Sequence, residues 1–249
     1  MSLLWAFVPE LAAAGEYVLD ADESRHVTAR RLRVGDALTL FNGAGSTGEA
    51  RIEGLSKRAV QVVVERVEEN SAPASACVLA TAIPKGDRLS TMLQMLTQLG
   101  AASWQPLILA DSAVRSLDPE SKRLQRICVE SAKVARRPWL LSVAKPCRLD
   151  ELLEARASEG GDGAVFFGDR EGAGSGLSAS AELVLIGPEA GFTEEERARL
   201  LSAGALPCSF SPHNLRIEVA AIGAAVALNL VSTSAALGQG VSGERVGDG

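Results

Sequence analysis

Two short stretches hold residue types whose spacing could do chemistry. The first is LVLIGPEAGFTEEE, Leu183 to Glu196. An apolar run, Ile186 included, enters a turn containing Gly187, Pro188, Glu189 and Gly191, and an acidic helix start follows. Two glycines around a proline let a backbone come close to a ligand. In open α/β sheets, ligands sit at the carboxyl ends of strands. The common ligand at such a turn is a phosphate, held by backbone N–H groups and helped by a Lys or Arg. This turn has no Lys, no Gly-Lys-Ser/Thr and no GxGxxG. It carries Glu189, Glu194, Glu195 and Glu196 instead, so a neutral or cationic ligand suits it better. S-adenosylmethionine, a sulfonium without phosphate, is such a ligand. Thr193 and Glu196 also spell T-x-x-E, a capping box, so the acids could simply serve the helix start.

The second stretch is SPHNLRIEVAAIGAAVALNL, Ser211 to Leu230. Ser211, Pro212 and Asn214 form a tight loop, with Leu215 and Arg216 after it. Glu218 opens a helix whose Ala220, Ala221, Gly223, Ala224 and Ala225 allow a very close neighbour. A plain reading is a close-packed terminal helix with an Arg216–Glu218 pair at its start.

The elements around these stretches have two rhythms. Residues 1–72 read as short strands, EYVLD, DALTLFNG, STGEARIEGLS and AVQVVVERVEE, with a short helix near Glu23 to Arg31. That pattern predicts a small antiparallel sheet or barrel. NSAPASA, Asn70 to Ala76, reads as a linker. Residues 73–236 alternate strands with helices, which predicts an α/β domain with a parallel sheet covered on both faces. Its helices are expected at Asp87 to Leu99, from Asp118–Pro119 to Ala135, from a cap at Asp150, after Thr193, and from Glu218. Residues 237–249 read as a flexible, Gly-rich tail.

Composition narrows the function classes. The chain has 249 residues and a net charge of -6, which argues against an unselective polyanion binder but allows a local basic patch. Arg25, Arg30, Arg31 and Arg33, with His26, are the densest basic group in the N-terminal half, and Lys133, Arg136 and Arg137 form a second. Such groups can position phosphates; ion pairs with Asp20, Asp22 and Glu23 are the plain alternative. Four cysteines lie far apart and there are two histidines, so neither a disulfide frame nor a metal site is expected. No signal peptide and no bilayer-spanning run is evident, and a cytoplasmic protein is expected.

LIGPEAGFTEEE followed by SPHNLRIEVAA resembles the paired signature of the RsmE family, IGPEGG(F/L)-S/T-x-x-E and L-G-x-x-x-L-R-x-E-T-A. SRHVTARRLRVGDALTLFNGAG and LQMLTQLGAASWQPLILADSAVRS extend the resemblance over most of the chain. It implies a PUA-like RNA-binding β-barrel followed by a SPOUT α/β domain containing a trefoil knot. It also implies an S-adenosyl-L-methionine-dependent homodimer that methylates N3 of a uridine in 16S rRNA, in the decoding region of the small ribosomal subunit. Departures from the family pattern fall at Ala190, Ile217, Val219, Met95, Gln98 and Val134.

On that resemblance, the cofactor pocket is expected from Phe167, Gly168, Ile186, Gly187, Pro188, Glu189 and Gly191, together with Phe210, Ser211, Asn214 and Leu215. RNA is expected at Arg25, Arg30, Arg31, Arg33, Arg136 and Arg137. Arg216 is the expected catalytic cation, stabilising negative charge on the uracil oxygens as N3 loses its proton. Glu218 is expected to orient Arg216 or accept that proton. His213 reads as a loop histidine. A SPOUT enzyme acting elsewhere on RNA and a non-catalytic RNA-binding homologue are the alternatives.

Overall fold

The computed structural model describes residues 4–56, 59–73, 76–172 and 176–240, the last six as backbone only. Contacts divide the chain into two units, one of residues 1–72 with 128–140, the other of 73–127 with 141–249.

The first unit is one five-stranded sheet with a helix. Its elements are β1 (Leu4–Phe7), β2 (Gly15–Val18), α1 (Ala21–Ala29), β3 (Ala37–Phe41), β4 (Ser46–Leu55) and β5 (Val60–Glu69). The order is β1-β3-β4-β5-β2. The expected antiparallel sheet is in fact mixed, because β1 pairs parallel with β3. The opening residues MSLLWAFVPE show no clean alternation, which is why β1 escapes a pattern reading. Along β5, Val60, Val62 and Val64 are buried at period two, against Leu38, Leu40 and Ile52. Asp20 caps α1, accepting from the Asp22 and Glu23 N–H groups at 2.9 and 2.8 Å.

Residues 128–140 are fixed in this unit by Lys133. Its ammonium meets Glu23 at 2.8 Å and Glu130 at 2.7 Å, and the Lys133 and Glu23 side chains are 6% and 5% exposed. Lys133 is therefore a structural ion, correcting its grouping with the surface arginines. The two carboxylates raise its pKa despite burial.

The second unit is an all-parallel sheet. Its strands are β6 (Val78–Ala82), β7 (Ser103–Ile108), β8 (Ser142–Val143), β9 (Cys147–Arg148), β10 (Ala164–Gly168), β11 (Ala181–Ile186) and β12 (Leu206–Cys208). The order is β12-β10-β11-β6-β7-β8, with β9 also on β7. Helix α2 (Asp87–Gln98) buries Leu89, Met92, Leu93 and Leu96 and stops at Leu99, with Gly100 at φ +82° beyond it. Met95 and Gln98, two of the family departures, are exposed. Trp104 is fully buried and donates to Thr81 Oγ1 at 2.9 Å.

Two helix starts differ from expectation. Helix α3 is Lys122–Ala135, because Asp118 accepts from the Glu120 N–H at 3.0 Å and closes a separate turn. Helix α4 (Leu149–Glu159) begins one residue before Asp150, and Glu151 accepts from the Arg148 N–H at 2.8 Å. Helix α5 (Glu194–Ser202) starts at its Thr193 cap.

Helix α6 (Ile217–Gly240) packs on α2, β6 and β11 and continues into the stretch read as a tail; residues 241–249 lie outside the described residues. Contrary to expectation, its Ile217–Ser234 window is long and apolar enough by composition to cross a bilayer. Its many alanines raise hydropathy without the bulky side chains that draw the eye. Part of the window is buried in this unit.

Candidate functional site

The carboxyl ends of β10, β11 and β12 open into one cavity of about 670 Å³. Three loops wall it. Phe167, Gly168 and Asp169 come from the end of β10; Ile186 to Phe192 from the end of β11 and the turn after it; Cys208 to Ser211 and His213 to Leu215 from the end of β12 and its loop. Ile217 and Ala220 close it from the first turns of α6. All eleven residues expected to hold a cofactor line this cavity. They come from three chain segments that only the parallel pairing of β10 with both β11 and β12 brings together.

The turn after β11 is tight for a local reason. The Gly191 N–H donates to the Pro188 carbonyl at 2.8 Å, and Gly191 takes φ +85°. A Cβ on Gly187 would lie 3.1 Å from the Gly191 carbonyl carbon, so the turn closes tightly over this position and would have to give to admit a side chain. Ala190 is not among the residues at positive φ, so its extra methyl fits the backbone there.

Glu189 lines the cavity but also pairs with Arg88 at 2.8 Å, which ties the turn to the start of α2. Glu196 is nearly buried and works twice. Its Oε2 accepts from the Thr193 N–H at 3.0 Å, completing the capping box. Its Oε1 accepts from the Ala110 N–H at 2.8 Å, which holds the loop after β7.

Sequence reading missed several members of the cavity wall, Asp169, Arg197, Phe192 and Cys208 among them. Asp169 pairs with Arg197, and the Arg197 guanidinium lies 5.9 Å from the centroid of the Phe167 ring. Phe192 meets Phe167 edge-on, ring centroids 5.9 Å apart. The available signal was positional: Asp169 follows the end of a strand, and Arg197 stands one residue beyond the capping glutamate. Cys208 also lines the cavity; burial pushes its thiol up to about 12, so it stays neutral.

Asp169, Glu171, Glu189 and Glu194 line the cavity against Arg170 and Arg197. A lining with more acids than bases repels phosphate and tolerates a cation.

Arg216 and Glu218 are not part of this wall. Arg216 is exposed, between the lining residues Leu215 and Ile217. Glu218 is buried, and its Oε2 has no hydrogen-bond partner among the described residues. No ion pair joins the two, so the orienting contact expected of Glu218 is not made here. His213 lines the cavity mouth, where its N–H donates to Ser211 Oγ at 3.1 Å.

The six arginines expected to meet RNA all fall in the first unit, although a hundred residues separate the two groups. Arg25 pairs with exposed Asp22; Arg30, Arg31, Arg33 and Arg136 are exposed; Arg137 is half-buried, and burial lowers its pKa. Among the described residues, no cluster of three or more His, Cys, Asp or Glu could hold a metal ion.

Comparison with known proteins agrees with this geometry. Residues 70–229 match the RNA methyltransferase domain family, and residues 19–65 match the PUA domain of RNA methyltransferases. Relatives named ribosomal RNA small subunit methyltransferase E include one from Synechocystis, 29% identical over 82% of this chain and 69% of its own. Another, from Bacillus subtilis, is 28% identical over 88% of this chain and 92% of its own. The crystal structure of the Neisseria gonorrhoeae enzyme of that name, bound to S-adenosyl methionine, superposes with a TM-score of 0.81 at 25% identity. It covers 92% of this chain and 98% of that one. Since the family match spans well over half of its residues, this chain belongs to the RNA methyltransferase domain family, with a PUA domain before it.

Proposed function

We propose that this protein transfers a methyl group from S-adenosyl-L-methionine to small-subunit ribosomal RNA, at N3 of a uridine in 16S rRNA. The observation that carries the reading is the single acid-rich cavity at the ends of β10, β11 and β12, lined by all eleven residues expected to bind the cofactor. The relatives named as small-subunit methyltransferases support the substrate class.

The residues fit this cofactor. The glycine turn offers backbone at close range and no side chain at Gly187. The acids favour a sulfonium over a phosphate. The cofactor supplies an electrophilic methyl, and the protein's tasks are alignment and charge control. Uracil N3 must lose its proton as it gains the methyl. Arg216, exposed beside the cavity, stabilises the negative charge that develops on the uracil oxygens. Glu218, buried with an unpartnered Oε2, accepts the proton through a relay or holds the α6 start. Arg25, Arg30, Arg31, Arg33, Arg136 and Arg137 bind RNA phosphates.

Two further features belong to this reading. The chain acts in the cytoplasm, where its substrate is made, as a homodimer across the exposed apolar face of α6. The path through β10, β11 and β12 forms the trefoil knot of the SPOUT fold.

Calorimetry with S-adenosylmethionine tests the cofactor; no binding at high micromolar concentration sinks the enzyme reading. Mass spectrometry of small-subunit rRNA from a deletion strain tests the position. Loss of N3-methyluridine is expected. Its persistence, with a different methylated base lost, assigns the enzyme to another position.

A further inference from the structure

Among the described residues, the Asp169–Arg197 pair is the one charge pair with both partners in the cavity wall. It is anchored on several sides. Asp169 Oδ1 accepts from the Glu171 N–H at 2.9 Å, and the Asp169 N–H donates to the Cys208 carbonyl at 2.8 Å. Arg197 lies over Phe167, whose ring is itself braced by Phe192. A Cβ on Gly172 would fall 2.8 Å from the Cys208 backbone nitrogen, so the loop carrying Asp169 is pressed against β12. The pair is thus held before any ligand arrives, which lowers the ordering cost of binding.

It is also not saturated. A guanidinium has five donors and a carboxylate four lone-pair sites, and the contacts above use only part of each. Both residues line the cavity, the Arg197 side chain 35% exposed and that of Asp169 12%, so the arginine is the more accessible partner. Arg170, the other lining cation, is exposed and has no such anchor. The remaining lining charges are acidic.

We propose that Asp169 and Arg197 recognise the aminoacyl end of the methyl donor, Arg197 taking its α-carboxylate and Asp169 its α-ammonium. This rests on the S-adenosylmethionine reading above. A zwitterion meeting a fixed ion pair exchanges one opposite-charge arrangement for a four-charge one without adding net charge to the cavity. Of the two lining arginines, Arg197 is the anchored one able to bind a carboxylate, and bidentate geometry suits it.

The test compares two ligands in the full-length protein by calorimetry: S-adenosylmethionine, and 5′-methylthioadenosine, which keeps the nucleoside but lacks the amino-acid end and, with it, the sulfonium charge. Wild type should bind S-adenosylmethionine more tightly. Arg197→Met should weaken S-adenosylmethionine roughly ten- to a hundredfold and leave methylthioadenosine unchanged, which also shows that the pocket is folded. Asp169→Asn should do the same to a smaller degree, and Arg197→Lys should fall between wild type and Arg197→Met. Equal loss of both ligands in Arg197→Met makes the pair a structural brace and overturns the proposal, as does no loss of either. If wild type binds neither ligand, the cofactor reading itself fails.

Discussion

Arg216 and Glu218 stand two residues apart, yet the fold gives them opposite environments. Arg216 is exposed, between two residues that line the cavity, and Glu218 is buried. A role for Arg216 on the RNA side follows more naturally than one on the cofactor side. Arg216→Ala should lower methylation about a hundredfold and leave S-adenosylmethionine affinity unchanged; wild-type turnover would remove its catalytic role. His26 makes a separate prediction, on stability. Its pKa lies below the ordinary 6.5, first because of burial and then because of the Lys133 charge, with Arg30 adding to it and Glu130 opposing. A histidine depressed in the folded state binds its proton more readily when unfolded, so stability rises with pH in that range. Folding stability should therefore fall as pH drops below 6.5, and His26→Gln should remove part of that slope. Thermal melts at about pH 7.5 and about pH 5.5 read it; an unchanged slope in the variant would refute the assignment.

Two helix ends carry an unusual residue. Arg31 follows α1 at φ 59° and Arg136 follows α3 at φ 51°, both in the left-handed region that normally takes Gly. The Arg137 N–H reaches back to the Ala132 carbonyl at 2.9 Å, a Schellman-type closure of α3. An L-residue in that conformation costs about 1 kcal/mol or more. A strained residue that is also exposed and basic suggests a functional reason for its side chain. Arg31→Gly and Arg136→Gly should each stabilise the fold by up to about 1 kcal/mol while weakening RNA binding. Denaturant melts and RNA titrations at fixed salt check the two halves; a variant that gains stability with unchanged RNA affinity shows the side chain to be idle. Helix α5 shows the other sense of capping. Glu196 was legible as the end of a T-x-x-E box, but its second bond, to Ala110, is not local and could not be read from spacing.

Helix α6 raises the question of what covers it. Val219, Val226 and Leu230 are 46%, 41% and 65% exposed, at spacings of seven and four that place them on one face. The opposite face packs on α2, β6 and β11. A second copy of the chain would cover the open stripe. Val226→Lys with Leu230→Lys should convert a dimer to a monomer in sedimentation equilibrium without unfolding the protein, since both sites are exposed in the single chain. A dimer of undiminished affinity would place the interface elsewhere.

What the sequence determined by itself was local and periodic. Valines at period two gave the strands of the first unit, leucines at helical spacing gave α2, and Thr193 with Glu196 gave the start of α5. The acidic, lysine-free glycine turn disfavoured a phosphate before any fold was known, because charge and backbone freedom are properties of residue type. Tertiary structure decided everything that depends on partners far apart in the chain. It made β1 parallel to β3, since the direction in which a strand joins a sheet depends on the path of the chain and not on the strand's own pattern. It took residues 128–140 into the first unit and buried Lys133 between two glutamates, where a basic run had suggested a surface. And it placed Asp169 beside Arg197 across 28 residues of chain, a pair whose members look unremarked in sequence because an ion pair is a distance, and distance is fixed only when β10, β11 and α5 are folded together.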